Sequence, residues 1–232
     1  MKRRAGAPAD LFEAEAAGLD WLREGPLYVP RVIEIGREHI AMERIEDSAR
    51  AADFDAQLGR GLAQLHDLGA PAFGGHRDNY IVDIPQDNRD CADWPMFYVE
   101  QRLRPLGRRA GLRIDSRLDR LLERRDRFGP PESPARLHGD LWWGNVMCNV
   151  GAPALIDPAA YGGHREVDLA MLALFGPLPA TVIAAYEEIH PLAADWRDRR
   201  PLYQLYPLAV HAALFGGGYA AQVMSILDVV CA

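Results

Sequence analysis

Asp140 stands five residues before Asn145, and Asp157 follows after a short apolar stretch and a turn. They lie in two runs, His138-Gly139-Asp140-Leu141-Trp142-Trp143-Gly144-Asn145 and Leu155-Ile156-Asp157-Pro158. Phosphoryl transfer asks little covalent chemistry of a protein. It needs a carboxylate at the acceptor hydroxyl, oxygen ligands for a metal bridging the phosphates, and a cation on the nucleotide. Asp140 suits the first task. Asn145 and Asp157 are hard oxygen donors of the kind magnesium takes in small number, keeping waters and phosphate oxygens for the rest of its shell. Each residue alone has an ordinary explanation, since His-Gly-Asp commonly makes a turn and Asp-Pro commonly ends a strand. Their order and spacing between two apolar strands point to transfer from ATP with magnesium, Asp140 acting as base.

Other elements must hold these groups in place. Asp10 is placed to cap a helix, with Glu13 closing a capping box, and Phe12, Ala16, Leu19 and Leu22 form its buried stripe. At about 100° per residue Glu15 falls inside that stripe and Glu13 well off it. A carboxylate on an apolar face needs a cation to meet it. Gly25-Pro26 ends the helix, and residues 28–35 and 39–45 read as a hairpin about Gly36-Arg37-Glu38. Phe54, Leu58, Leu62, Leu65 and Leu68 predict a helix that stops at Gly69. The stretch 71–105 is rich in Gly, Pro, Asn and Asp, with a helix beginning near Trp94; 112–128 reads as a charged helix. Residues 145–148 and 154–156 read as short strands about Asn149-Val150-Gly151, and helices are expected over 167–175, 181–189, 201–215 and 219–230. The class is α+β: a small mixed front over 1–45 and a mostly helical back over 46–232.

The chain of 232 residues is long enough to bury a substantial core, and 49% hydrophobic with 25% charged residues is ordinary for a globular protein. A formal charge of −7 argues against a nucleic-acid partner. Cys91, Cys148 and Cys231 show no C-x-x-C spacing and suit free thiols in a reducing cytoplasm. No apolar run approaches the roughly 20 residues that span a bilayer, and the basic N-terminus lacks the apolar core of a signal peptide. The expectation is a soluble, cytoplasmic protein with no membrane contact and an oligomeric state the residues do not specify.

The two runs, together with Asp157-Pro158-Ala159, Tyr161, Gly163-His164-Arg165-Glu166 and Asp168-Leu169-Ala170-Met171, resemble the fructosamine kinase (ketosamine kinase) family. That family belongs to the aminoglycoside and choline kinase-like branch of the protein-kinase fold, whose catalytic loop also sets base and metal-binding Asn five apart. Phe12-Glu13-Ala14-Glu15, Asn79-Tyr80-Ile81, Gln86-Asp87-Asn88, 201–206 and Phe215-Gly216 extend the likeness over nearly the whole chain. It implies a protein-kinase-like two-lobed fold with a truncated, small β-rich N-lobe and a mostly helical C-lobe. It implies Asp140 as base toward a sugar hydroxyl of a ketosamine, either a small molecule or a glycated protein amine, with Asn145 and Asp157 holding magnesium. Met42-Glu43-Arg44 is the implied hinge for the adenine of ATP. Trp142 is implied to stack on the sugar or its amine, with a core aromatic as the rival reading. Glu166 and Asp168 are implied substrate contacts, Asp168 equally a helix cap, and His164 a supporting hydrogen-bonder. Lys2 matches the strand Lys that pairs with a helix Glu and reaches the phosphates, which supplies the cation that Glu15 needs.

The family carries two strands and a Gly-rich loop ahead of this Lys, whereas the chain starts at Met1-Lys2. The expectation is a start codon placed late, with true truncation and low activity as the alternative. Three other functions compete. An aminoglycoside- or choline-type acceptor fits the same fold. A metal-dependent phosphoesterase would need a Gly-Asp-x-His-Gly and a later Asn-His pair, and neither is present. A non-catalytic, ligand-binding relative is the third.

Overall fold

The computed structural model describes residues 1–46 and 48–231. Strand β1 (Lys2–Arg3) joins β2 (Val32–Gly36) and β3 (His39–Met42) in an antiparallel sheet of order β1-β3-β2, with Lys2 opposite Ile40. Helix α1 (Leu11–Leu22) lies between β1 and β2 in the chain and buries Phe12, Leu19 and Leu22 together with Glu15. The expected capping box does not form. Asp10 occupies the cap position without a side-chain bond to the helix, and Glu13 is exposed. The Asp10 carboxylate instead accepts from Tyr80 Oη at 2.6 Å and Arg77 at 3.0 Å. Tertiary donors have outcompeted the local amides. The hairpin is also shorter than its apolar run, because Tyr28 bridges Ala154, with Leu155 N donating to Tyr28 O at 2.9 Å.

The remainder is mostly helical. Helix α2 (Phe54–Asp67) packs on α7 (Ala180–Glu187) so closely that a Cβ on Gly59 would collide with the Val182 carbonyl. Strands β4 (Asn79–Ile81) and β5 (Ile84–Gln86) form a hairpin inside the Gly- and Asn-rich stretch, where no strand was expected. Helix α3 (Trp94–Met96) runs through a π-helical segment, Phe97–Leu103, into α4 (Arg104–Arg109). The expected helix over 112–128 divides into α5 (Asp115–Glu123) and a 3-10 turn, Arg125–Phe128. Strand β6 (Ala135–Leu137) pairs with β9 (Tyr161–Gly163), and β7 (Val146–Asn149) pairs with β8 (Ala152–Leu155). Helix α6 (Glu166–Leu172) follows, and α8 (Trp196–Phe215) and α9 (Gly218–Val230) close the chain.

Helix α8 begins five residues before Pro201, where its start was expected. Proline removes the bond to the carbonyl four residues back, and here each freed acceptor has another donor. Arg200 Nε donates to Arg197 O at 3.2 Å, and the buried Tyr98 hydroxyl donates to Tyr203 O at 3.2 Å. That satisfaction of backbone acceptors lets the helix continue through Pro201 and Pro207.

Candidate active site

The two small sheets β6–β9 and β7–β8 frame two loops, 138–145 and 156–160, and the chemistry-bearing residues sit on these loops. Gly139 has φ +79°, and a Cβ there would strike the Ala159 carbonyl oxygen, so only glycine lets the loops meet. Ala159 N donates to His138 O at 3.0 Å, Ile156 N to Asn145 O at 3.1 Å, and His138 Nε2 meets Ile156 O at 2.9 Å. Burial depresses the basicity of His138, which suits the neutral imidazole these contacts use.

Asn145 donates from Nδ2 to the Asp140 carbonyl at 2.8 Å and to Asp140 Oδ2 at 3.2 Å. Its nitrogen is thereby committed, and its amide oxygen is left as a hard donor. Asp157 adopts φ +52°, an uncommon conformation for a residue with a Cβ, and its carboxylate stays partly exposed. Lys2 Nζ lies 2.9 Å from Glu15 Oε2 and 3.3 Å from Asp157 Oδ1, bridging the buried helix carboxylate to the loop. Burial raises the Glu15 pKa against the pull of Lys2. Burial also opposes the Lys2 charge, but Glu15 and then Asp157 outweigh it and the ammonium pKa rises. Burial pushes Asp140 up to about 7, with the Asn145 hydrogen bond opposing.

All five groups, Lys2, Glu15, Asp140, Asn145 and Asp157, line one cavity of about 600 Å³. A family model for fructosamine kinase matches residues 1–232. The chain belongs to the fructosamine kinase family. The family's members are small-molecule kinases. A probable ketoamine kinase of Synechocystis is 37% identical over 233 residues, covering 94% of this chain and 77% of that protein. An Arabidopsis thaliana chloroplastic protein-ribulosamine 3-kinase is 35% identical, covering 97% of this chain and 73% of that protein. The solved structure of a candidate fructosamine-3-kinase from Thermobifida fusca superposes with TM-score 0.88 at 43% identity, covering 97% of this chain and 82% of that one. A choline kinase from Streptococcus pneumoniae, at 14% identity and TM-score 0.61 over 94% of this chain and 79% of its own, shares the protein-kinase-like fold.

Within this fructosamine kinase fold, two expected substrate contacts prove to be internal. Glu166 is buried and forms a two-point ion pair with Arg199 at 3.0 and 2.6 Å. Asp168 is fully buried, accepting from His138 N at 2.8 Å and Gly139 N at 3.0 Å, with His66 Nε2 at 3.3 Å. Neither lines the cavity. Asp168 does not cap α6 either, since Arg165 holds that position. Its carboxylate fixes the two residues before Asp140 instead, and His66 is tied in turn to the Tyr186 hydroxyl at 2.7 Å. His164 is buried, stacks on Tyr203 at 5.1 Å and accepts from Glu166 N at 3.3 Å. Burial drives its pKa down to about 4, opposed by Glu132.

Met42, Glu43 and Arg44 are not among the residues that line this cavity. Glu43 N donates to Arg31 O at 2.8 Å, and its carboxylate accepts from Arg31 N at 3.0 Å and Tyr28 Oη at 3.2 Å. Trp142 is 41% exposed and lines the cavity, which excludes a purely core role. Its ring stands edge-on to Phe175 at 6.4 Å, and His211 packs between Phe175 and Phe215 at 5.1 and 5.8 Å. This aromatic end was not foreseen as a site. In sequence, Val210, His211, Leu214 and Phe215 carry only the four-residue spacing of a core-facing stripe. Among the described residues no cluster of three or more His, Cys, Asp or Glu could cage a metal, and no helix is long and apolar enough to cross a membrane.

Proposed function

We propose that this fructosamine kinase transfers the γ-phosphoryl group of ATP to a sugar hydroxyl of a ketosamine, with Asp140 as the base. The observation that carries the reading is the Asp140–Asn145–Asp157–Lys2 arrangement on one cavity wall. Magnesium fits the donor set. Asn145 Oδ1 and the Asp157 carboxylate would hold it, and a cage is unnecessary because phosphates and waters complete such a shell. When bound, the metal would neutralise charge on the transferring phosphoryl group.

The protein's own groups divide the remaining work. Asp140 accepts the hydroxyl proton, and a pKa near 7 in the unliganded pocket matches a base that works at neutral pH. Asn145 holds the carboxylate by its Nδ2, fixing which oxygen faces the acceptor. Lys2, held by Glu15, presents its ammonium beside Asp157, where the α- and β-phosphates would lie. Adenine would meet the 42–44 segment through backbone groups other than the committed Glu43 N–H. Because that segment is off the cavity, the space beyond Asp140 toward Trp142, Phe175 and Phe215 is assigned to the acceptor, whose amine substituent would rest on the aromatic rings.

Replacing Asp140 by Ala should lower kcat by at least about 10³-fold while nucleotide affinity changes less than about threefold. Near-normal turnover of a ketosamine in that variant would sink the assignment.

A further inference from the structure

The β4–β5 hairpin carries an unexplained cost at its tip. Ile81 pairs with Ile84, so the turn consists of Val82 and Asp83 alone. Turns of this length want Asn or Gly where φ is positive. Val82 has φ +61°, a region that a β-branched residue occupies only under constraint, and its side chain is 51% exposed. Nothing in the local sequence asks for this shape.

The constraint comes from residue 4. Arg4 Nη1 donates to Val82 O at 2.8 Å and Nη2 to Asp83 Oδ2 at 3.0 Å, a two-point grip across 78 positions of sequence. The Arg4 backbone is itself anchored, its N donating to Glu38 O at 3.0 Å. A second tie joins the same two segments through Asp10, which holds Tyr80 and Arg77. Arg4, Tyr80, Ile81 and Val82 all line the cavity with Asp140. Lys2, two residues before Arg4, lines the same cavity. The strained tip is therefore bolted to the residue that directly follows the strand carrying the phosphate-side lysine.

We propose that Arg4 is a positioning residue for the acceptor: it holds Val82 as a wall of the acceptor chamber, in register with Lys2. This rests on the kinase reading above. The strain is then functional, because a relaxed turn would withdraw the valine from the cavity and widen it. The wall selects acceptors by fit and leaves the phosphoryl-transfer groups untouched.

Steady-state kinetics with Mg-ATP and a fructosamine should show Arg4→Ala raising the acceptor KM at least fivefold, with kcat and the ATP KM within twofold. Arg4→Lys should recover part of that loss. Val82→Gly, which suits the positive φ, should raise the acceptor KM similarly without lowering Tm, which separates loss of the wall from loss of folding. Hydrogen exchange gives a readout independent of turnover: the amides of residues 79–84 and 86 should exchange at least tenfold faster in Arg4→Ala. Unchanged exchange overturns the clamp. An unchanged acceptor KM in both Arg4→Ala and Val82→Gly, or a rise confined to the ATP KM, overturns the acceptor role. Failure of the unaltered protein to phosphorylate any ketosamine overturns the kinase reading and the acceptor role together, while hydrogen exchange still decides the clamp.

Discussion

Burial has moved the Asp140 carboxyl from an ordinary 3.8 to about 7, and such a shift is a statement about stability as well as reactivity. Below about pH 4 the group is neutral folded or unfolded and costs nothing. Between about 4 and 7 the unfolded chain ionises it first, so the folded state loses ground as pH rises, by up to ~4 kcal/mol when no metal is bound. With a chelator present, Asp140→Asn should therefore raise Tm clearly at pH 8 and hardly at all at pH 4. An equal gain at both values would mean that the carboxyl ionises freely in the fold. Lys2 and Glu15 form the other coupled unit. Replacing either residue should lose about as much activity as replacing both, because each leaves its partner without purpose. Strictly additive losses in a double-mutant cycle would count against the pairing.

At the scale of elements, two loops owe their meeting to a single missing side chain. Gly139→Ala adds a Cβ against the Ala159 carbonyl at a positive φ, and should cost about 2–4 kcal/mol with most of the activity. Thermal unfolding and turnover measured on the same preparation would check both halves. The Gly-Asp turn, the strands around Asn149-Val150-Gly151 and the four late helices were legible, because turn residues and apolar periodicity are local signals. The Asp10 capping box was misread for the complementary reason. The local pattern is present, but Tyr80 and Arg77 arrive from 70 and 67 residues away to take the carboxylate. Pro201 was similarly read as a helix start, since sequence does not show that an Arg side chain and a remote tyrosine hydroxyl will serve the carbonyls that prolines leave free.

Across the whole molecule, ionisable side chains are buried in a layer behind the 138–145 loop, where Asp168, His66, Glu166, Arg199 and His164 are all nearly inaccessible. His164 links this layer to pH. Its folded pKa lies near 4 and its unfolded value near 6.5, so the unfolded chain takes up the proton first as pH falls. Stability should be lost progressively from about pH 6.5 to 4, by up to ~3 kcal/mol from this residue. His164→Phe should flatten that part of a stability–pH curve measured by urea unfolding; an unaltered slope would show that other groups carry it. The corrected roles of Glu166 and Asp168 belong to this scale too. Substrate contact was what the family resemblance implied for both. Burial turned them into supports.

The residue types and their spacing determined the groups on which the proposed chemistry rests: oxygen donors at 140, 145 and 157, a carboxylate on the buried helix stripe at 15 and a lysine able to meet it. Such information is local or carried by periodicity, and it survives without coordinates. Only the tertiary structure decided which polar residues face the cavity and which brace it, how Arg4 reaches a turn 78 residues away, and how Phe175 after α6, the rings of α8 and Trp142 of the 138–145 loop gather into an aromatic end. Those outcomes depend on which distant donors, acceptors and surfaces packing brings together, and a linear sequence does not state that competition's result.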